Sequence, residues 1–559
     1  MTPPVPADHS PVATPGATWY YSGLDLSEST AVQPADGAGR PLRLEMARWV
    51  PGATVAFLFL GVLLRFRQYL FDRSLWYDET LIALNIIARP IPRLIPPLDN
   101  HQGAPLGFLA LEKAAVLAFG TNEYALRLVP LVAGVAALVL LYLLVRRILP
   151  PVATLASVGL FALSSQQIGY STELKQYSMD AAVALLVMFV AIGRWPAGRR
   201  RDLMLLTVIG AAAVWFSYPA AFVLAGIGIA LALAAAVTRE WQRLAKLALV
   251  GIVWGLSFAA CYWITLRPVA SDTLLSDIWS EAFLPWPVSY WTMDWTLSRM
   301  FGIFHQPVGM TLSGLGAFVF LLGMIRRDGD WPINRWLLVS PLLVAFAAAA
   351  VHRYPFDGRF LNFAVPLVLV VVGAGVAYIA DATWRTGPAI VYSLLALLFL
   401  HPLWTGAYDT LRPQGNEEIR PVLDYVRQHQ QPGDSLYLYW RAEPAFAYYS
   451  DQWGHDARLE SGKLLQRHWN TDATGPGDLD TLETVGASGR TARFERELEL
   501  YRGQSRVWVV FYHVKVQDGR SEEQWFREQL QHMGRERDHV SMPGASAYLY
   551  DLSAVALPG

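Results

Sequence analysis

The sequence predicts a mainly α-helical protein that crosses a membrane many times. Of its 559 residues, 53% are hydrophobic and only 16% are charged, compared with about 25% charged residues in soluble domains. Apolar segments near the roughly 20-residue length that spans a bilayer recur from residue 50 to residue 403. Arginine runs stand beside alternate segments, as is typical of cytoplasmic ends. We therefore expect a polytopic helix bundle with the N-terminus inside and the C-terminus outside.

The chain divides into three parts by composition. Residues 1–44 are rich in Pro, Ala, Ser and Gly without periodicity, which favours a disordered cytoplasmic tail. Residues 45–405 hold about 11 predicted spans. Residues 406–559 have a soluble composition with alternating helix and strand patterns, which predicts a small extracytoplasmic α/β domain. The predicted spans are 50–66, 124–145, 153–163, 177–192, 203–216, 219–237, 247–266, 308–325, 336–351, 361–379 and 390–403.

The first predicted outer loop has an interfacial character. The segment 99–120 is too short and too charged in its middle to span a bilayer, but its pattern suits an amphipathic helix that lies in the interface. A second helix is expected after Asp78 and Glu79. The long outer loop 267–307 is rich in tryptophan and acidic residues, which suits either a membrane interface or a sugar site.

An acidic pair, Asp78 and Glu79, follows the first span. Beside Trp76 and Tyr77, burial is expected to raise the pKa of a carboxyl group and make it a better proton acceptor near neutrality. The pair therefore predicts a catalytic base at the membrane face. The alternative is that the two residues only begin a helix, where acidic side chains are common.

Net charge and cysteine content exclude several classes of function. The net charge of −1 gives no field that would recruit nucleic acid. The single cysteine, Cys261, lies in an apolar stretch, so a disulfide framework, a thiolate metal site and a cysteine nucleophile are not expected. Ionisable residues that are costly near lipid instead fall on the predicted outer side. They are Asp78, Glu79, Asp99, His101, Glu173, Lys175, Asp180, His352, Arg353 and Arg359.

Residues 45–405 resemble the GT-C superfamily of membrane glycosyltransferases, the type that contains protein O-mannosyltransferases and the lipid A aminoarabinose transferase. The stretch 76–79 is similar to the acidic motif of that family's first outer loop. The stretch 101–106 is similar to its His/Lys-Pro-Pro-Leu segment, with Gly103 where the aminoarabinose transferase has Lys. The stretches 123–130, 173–180 and 354–360 resemble later motifs.

The resemblance implies a sugar transfer from a polyprenyl-phosphate donor to a lipid, glycan or protein acceptor outside the inner (plasma) membrane. It implies that Asp78 is the base and that Glu79 supports it in catalysis. Lys175 and Arg359 are expected to hold the donor phosphate. The remaining residues assigned to substrate binding are Tyr77, Asp99, His101, Glu173, Tyr177, Asp180 and Tyr354.

No cofactor is predicted as required. A divalent cation held by Asp78, Glu79 and Asp180 stays open, because hard oxygen ligands suit such ions. The alternative class of function is a non-enzymatic polytopic protein, such as a lipid or polysaccharide transporter. The sequence lacks the inverted repeat and paired broken helices that favour transporters.

Overall fold

The computed structural model describes residues 40–553 except 96, 195–199, 384–386, 412–414, 416, 451–486 and 518. Most of the predicted N-terminal tail, residues 1–39, therefore lies outside the described residues. The first helix begins at Arg40, a few residues before the predicted boundary.

Apolar helices build the membrane part of the chain. Within the described residues, seven helices are long and apolar enough to cross a membrane. Shorter apolar helices cover Pro151–Leu163, Tyr177–Ile192 and Ser313–Ile325. Each predicted span lies largely within a helix, and the predicted count of 11 stays a prediction. In chain order the helices are α1 (Arg40–Leu70), α2 (Tyr77–Ala88), α3 (Leu106–Phe119), α4 (Glu123–Ile148), α5 (Pro151–Leu163), α6 (Ser165–Tyr170), α7 (Tyr177–Arg194), α8 (Arg200–Phe216), α9 (Ala220–Val237), α10 (Trp241–Cys261), α11 (Arg267–Ala270), α12 (Thr273–Ile278), α13 (Tyr290–His305), α14 (Ser313–Ile325), α15 (Trp331–Ala350), α16 (Val365–Thr383) and α17 (Pro388–Leu411).

Helix α16 lies at the centre of this bundle. Of its most apolar stretch, 89% is buried, against 50% or less for each of the other six candidate spans. A Cβ atom at Gly375 would lie 1.8 Å from the backbone oxygen of Val319, so the absence of a side chain lets α14 approach α16 closely. On its other side, Ser157 of α5 donates a hydrogen bond to the carbonyl of Leu369 at 2.9 Å. Close helix contacts of this kind are typical of membrane bundles.

The loops of the predicted outer side are largely helical. The acidic pair stands in the first turn of α2, and the predicted interfacial helix is α3, which begins at Leu106 rather than at Asp99. The tryptophan-rich loop contains α11, α12, a short 3-10 helix at Ser280–Ala282 and α13. A further 3-10 helix, Gly358–Ala364, leads directly into α16. The outer ends of distant spans are thereby brought together beside α2.

The C-terminal residues form a four-stranded sheet with helices on both faces. The strand order is β1-β2-β6-β5, with β1 and β2 parallel and the other pairs antiparallel. A separate two-stranded ladder joins β3 to β4. The elements are α18 (Ile419–His429), β1 (Ser435–Leu438), α19 (Glu443–Ser450), α20 (Ala487–Glu499), β2 (Val507–Tyr512), β3 (Val516–Gln517), β4 (Arg520–Ser521), α21 (Glu522–Met533), β5 (Arg535–Met542) and β6 (Ala545–Asp551).

We call this C-terminal domain the outer domain after its predicted side of the membrane. Alternation along β2 divides it into two apolar layers. Trp508, Val510 and Tyr512 pack with α18 and α19, and this layer continues into α2 and α3. Val507, Val509 and Phe511 pack with α20 and α21 on the opposite face. The side chains of a strand alternate between faces, so one strand serves both layers. The outer domain is therefore packed directly against the first outer loop.

The domain limits differ slightly from those expected. Helix α17 runs to Leu411, past the predicted boundary at residue 405. The sequence pattern predicts α18, β1, β2, α21 and β6, whereas β5 is an additional strand. Its side chains are mostly polar and only partly buried, so it has no apolar alternation to reveal it.

Candidate active site

The candidate site is centred on two oppositely charged side chains that are far apart in the sequence of the membrane part. Asp78 lies in the first turn of α2, and Arg359 lies in the 3-10 helix before α16. Nη1 of Arg359 donates a hydrogen bond to Oδ2 of Asp78 at 3.0 Å. The two side chains are 22% and 26% exposed, so the pair is accessible although mostly enclosed. The fold thus joins two of the predicted site residues directly.

Aromatic rings surround the guanidinium of Arg359. Its central carbon lies 5.2 Å from the ring centre of Trp279 and 5.8 Å from those of Trp76 and Tyr177. Rings at this range stabilise a cation through their negative faces. Its Nε atom is buried without a hydrogen-bond partner among the described residues. Arg359 therefore has a donor left for an anion.

Lys175 supplies a second positive charge to the site. It is buried, and its Nζ atom donates to Oε1 of Gln102 at 2.8 Å. Burial lowers the pKa of Lys175, and the charge of Asp78 opposes that shift. The stretch 101–106 therefore meets the stretch 173–180 at this lysine. A Cβ at Gly103 would lie 2.7 Å from the side chain of Val269, so this chain has little room for a Lys there.

The protonation of Asp78 differs from the expectation. Burial alone would raise its pKa, but the charges of Lys175 and Arg359 and the hydrogen bond from Arg359 outweigh burial and hold the pKa below its ordinary value. The prediction that burial raises the pKa of Asp78 is therefore wrong for this arrangement. The nearby cations, which the sequence alone does not place, decide the sign.

Glu79 is held entirely by the protein. Arg127 donates to its two carboxylate oxygens at 3.0 and 2.7 Å, and Arg73 donates to Oε2 at 3.1 Å. The backbone N–H groups of Leu174 and Trp76 complete the set. Although burial opposes it, this positive surrounding lowers the pKa of Glu79 to about 2. With its side chain 0% exposed, Glu79 suits a positioning role more than direct chemistry, and its assignment to catalysis stays a prediction.

Several other predicted residues lie around the pair. Burial, followed by the charge of Glu79, raises the pKa of Glu173 to about 7. Tyr177 is buried and carries one of the rings around Arg359. Tyr354 donates from its hydroxyl to the carbonyl of Phe360 at 2.8 Å. The structure therefore places Glu173 and Tyr177 near Arg359, whereas Tyr354 contacts Phe360, the residue after Arg359.

The other predicted residues of this region are Tyr77, Asp180 and His101. The ring of Tyr77 stacks on His513 of the outer domain, with ring centres 4.8 Å apart. Asp180 is buried in the first turn of α7, and its Oδ1 atom lacks a hydrogen-bond partner among the described residues. His101 pairs through Nδ1 with Asp272 at 2.5 Å. Tyr77 directly precedes Asp78 in the chain, and His101 meets the tryptophan-rich outer loop at Asp272. The substrate-binding roles of Tyr77, Asp180 and His101 stay predictions.

Asp99 is the predicted residue that the fold places elsewhere. It pairs with Arg89 at 2.5 Å, and its side chain is 63% exposed. Arg89 caps the C-terminal end of α2, whereas Asp78 lies in the first turn. Eleven residues of helix separate the two positions by about 16 Å. The expected role of Asp99 at the substrate is therefore not supported by its position.

The sequence reasoning missed several residues that build the site. Arg73 and Arg127 hold Glu79, and Gln102 holds Lys175. Arg127 and Gln102 stand inside stretches that carry the family resemblance, so a signal for them existed. Trp279 belongs to the tryptophan-rich outer loop, for which a sugar site is one of the two interpretations. Its contact with Arg359 supports a location near the site.

Metal binding is not supported by a preformed cluster. Among the described residues, there is no group of three or more His, Cys, Asp or Glu residues that could hold a metal ion. Two of the three carboxylates considered for a cation are bonded to arginine side chains instead, Asp78 to Arg359 and Glu79 to Arg127. A cation requirement stays untested.

The apolar bundle, with paired charges at one face, defines a multi-pass membrane protein. A family model described as dolichyl-phosphate-mannose-protein mannosyltransferase matches residues 103–264. The chain is similar to ArnT from Cupriavidus metallidurans in the apo state, with a TM-score of 0.51 and 14% identity, covering 91% of this chain and 99% of that chain. The same protein bound to undecaprenyl phosphate gives a TM-score of 0.52 and 13% identity with the same coverage.

A search of curated proteins finds no match. The family model and the structures nevertheless agree on the same class, and the resemblance to the GT-C superfamily is confirmed. The chain has the fold of these membrane glycosyltransferases.

Proposed function

We propose that this chain is a glycosyltransferase that moves a sugar from a polyprenyl-phosphate donor to an acceptor on the extracytoplasmic side of the inner membrane. The observation that carries the proposal is the Asp78–Arg359 pair, with Lys175 nearby, close to the end of a candidate span. ArnT, which has the same fold, has been solved with undecaprenyl phosphate bound. A lipid-borne phosphate reaches such a site sideways from the bilayer.

Arg359 and Lys175 would hold the donor phosphate. A guanidinium suits phosphate because its N–H groups form paired, charge-assisted hydrogen bonds. The Nε atom of Arg359 has no partner among the described residues, and Nη1 is bonded only to Asp78. A phosphate at this position would therefore compete with Asp78 for the guanidinium. The aromatic rings around Arg359 keep the cation in place during the exchange.

Donor binding would then change the basicity of Asp78. Lys175 and Arg359 hold the pKa of Asp78 low, which makes its carboxylate a weak base. A phosphate that takes over these cations brings negative charge near the carboxylate, and a like charge raises a carboxyl pKa. Asp78 would therefore become a better proton acceptor once the donor is bound.

The transfer itself follows from these positions. Asp78 accepts the proton of the acceptor hydroxyl while its oxygen forms a bond to the anomeric carbon. The bond between that carbon and the phosphate oxygen breaks, and the polyprenyl phosphate leaves with the electron pair. Arg359 and Lys175 neutralise the charge that develops on the leaving phosphate. General base catalysis of this kind contributes about 100- to 10,000-fold in rate.

The test is to incubate the purified full-length chain in liposomes with a panel of radiolabelled polyprenyl-phosphate sugars and a membrane extract as the acceptor source. We expect one donor to be consumed with transfer of its label. The Asp78→Asn variant serves as the inactive control. Movement of label across sealed liposomes without cleavage of the donor would instead indicate a transporter and overturn the proposal. Repeating the assay with a chelator decides whether a divalent cation takes part.

A further inference from the structure

The segment 74–77, directly before Asp78, is held by the outer domain. We propose that the outer domain completes the active site by fixing this segment, with Glu417, Glu418 and Tyr449 as positioning residues for Asp78. This inference rests on the proposed role of Asp78 as the base. It assigns to the outer domain a part in the reaction itself.

Two backbone amides of the segment donate to the outer domain. The N–H group of Ser74 donates to Oε2 of Glu418 at 3.2 Å, and its hydroxyl donates to the same atom at 2.8 Å. The N–H group of Leu75 donates to the hydroxyl oxygen of Tyr449 at 2.8 Å. Leu75 and Tyr449 are both buried, so water does not substitute easily for these bonds.

A third amide donates to the outer domain immediately before Asp78. The N–H group of Tyr77 donates to Oε2 of Glu417 at 3.1 Å. The other carboxylate oxygen of Glu417 pairs with Nδ1 of His513, and the ring of His513 stacks on that of Tyr77 with planes 7° apart. Glu417 and His513 therefore hold both the backbone and the side chain of the residue next to Asp78.

Glu417 supplies an acceptor at a helix start whose N-cap side chain has none. The first N–H groups of a helix have no partners within the helix, and a Ser, Thr, Asp or Asn at the N-cap usually accepts from them. The N-cap of α2 is Trp76, whose side chain has no acceptor oxygen. Glu417 accepts from the first amide of the helix instead. The start of α2 is therefore defined jointly by the membrane part and the outer domain.

Two further contacts limit movement of the segment. The hydroxyl of Tyr512 donates to the carbonyl of Leu75 at 2.8 Å. Arg420 pairs with Asp72 at 3.0 Å and with Glu123 of α4 at 2.9 Å. The segment is thus bonded on both its N–H and C=O sides.

The consequence for Asp78 is geometric. Its carboxylate must lie near both Arg359 and the acceptor hydroxyl, and a displacement of about 1 Å at a reacting group costs on the order of 100-fold in rate. Loss of the Glu417 contact frees the peptide directly before Asp78. We therefore expect Glu417→Ala to lower turnover by about 10- to 100-fold while the KM for the donor stays nearly unchanged, because Arg359 and Lys175 are untouched.

The decisive experiment compares Glu417→Ala in the native chain and in the Asp78→Asn chain. A positioning residue acts through Asp78, so the second change is expected to add little once Asp78 has lost its basicity. A merely structural role would lower turnover by the same factor in both chains, and that result would overturn the inference. Equal activity of Glu417→Ala and the native chain would overturn it as well.

Two additional variants keep the test independent of folding. Tyr449→Phe removes only the hydroxyl that accepts from Leu75, and it is expected to show the same dependence on Asp78. Glu528→Ala is the matched control, because Glu528 is an exposed residue of the outer domain that pairs with Arg520. Donor binding measured on each variant gives the fraction of folded protein. If Asp78→Asn itself has no effect, the proposed function of Asp78 fails first, and this inference fails with it.

Discussion

The proposed chemistry depends on the carboxylate of Asp78, at which a lipid-borne donor and a water-borne acceptor would meet. Asp78→Asn keeps the size of the side chain but removes its basicity. We expect kcat to fall by about 100- to 10,000-fold while the protein still inserts and binds donor. Turnover and donor binding of the purified variant measure the two effects separately.

Asp277→Asn is the matched control for this change, because Asp277 is an exposed carboxylate on the tryptophan-rich outer loop. It is expected to be as active as the native chain. If Asp78→Asn retains near-normal turnover while Glu79→Gln abolishes it, the two roles are reversed. If both variants stay active, the acidic pair only begins a helix.

Arg359 is expected to recognise the donor phosphate by its shape as well as its charge. Arg359→Lys keeps the charge but loses the paired N–H groups and the flat face that the surrounding rings contact. Loss of a hydrogen bond to a charged group costs about 1.5–3 kcal/mol, so kcat/KM for the donor should fall by roughly 10- to 100-fold. Arg353→Lys, at an exposed arginine nearby, is the control. Unchanged donor kinetics in Arg359→Ala would reduce Arg359 to a membrane anchor.

Glu173 is expected to make the stability of the folded protein depend on pH. Its pKa is raised to about 7, mainly by burial, from an ordinary 4.5. Between these two values the folded protein keeps a proton that the unfolded chain has lost, so stability should fall as the pH rises through this interval. Glu173→Gln cannot ionise and should flatten this part of the profile. Melting temperatures of both proteins from about pH 5 to about pH 8 test it, and an unchanged slope would contradict the assignment.

At the scale of the element, α2 depends on the bonds of Glu79. Glu79→Gln leaves the buried guanidiniums of Arg127 and Arg73 without their carboxylate, and breaking a buried ion pair costs about 3–5 kcal/mol. We expect a large fall in the melting temperature of the detergent-solubilised protein. Glu528→Gln, in an exposed pair, should change it little. A small effect of Glu79→Gln would mean that α2 is fixed by other contacts.

Because the pKa of Glu79 is lowered, the stabilisation of α2 by Glu79 should be lost at low pH. Its pKa is about 2 in the fold against an ordinary 4.5. The stabilisation is therefore fully present above about pH 4.5 and is lost as the pH falls toward 2. A loss of stability in this acid range should be smaller in the Glu79→Gln protein.

The elements themselves were largely predictable from the sequence, and their contacts were not. Apolar length and arginine runs are local signals, so they locate the helices well. Nothing local indicates that Arg359 meets Asp78, which is 281 residues away. The family resemblance supplies the candidate site residues, but the pKa of Asp78 depends on Lys175 and Arg359, and the sequence alone predicts the wrong direction for its shift. Glu417 and His513 carry no motif and follow the last span, so the pattern gave no reason to connect them with Asp78.

At the scale of the whole molecule, the prediction concerns the orientation of the chain. The arginine runs predict that residues 410–559 lie outside the cytoplasmic membrane and the N-terminus inside. The outer domain packs against α2 and α3, so it must lie on the same side as Asp78. An enzyme reporter that works only outside the cytoplasm should therefore be active when fused to the C-terminus. Activity of a reporter that works only in the cytoplasm, fused at that position, would contradict the predicted topology and the predicted outer location of the site.

The hydrogen bonds between the segment before Asp78 and the outer domain can form only late in synthesis of the chain. Asp78 leaves the ribosome early, whereas His513 follows more than 400 residues later. At about 5–20 residues per second, this interval is on the order of a minute. During that time the nascent chain has its acidic pair but lacks the outer-domain residues that hold the segment before Asp78. Under the proposed mechanism, a ribosome-stalled or prematurely ended chain would therefore be inserted but would not transfer sugar.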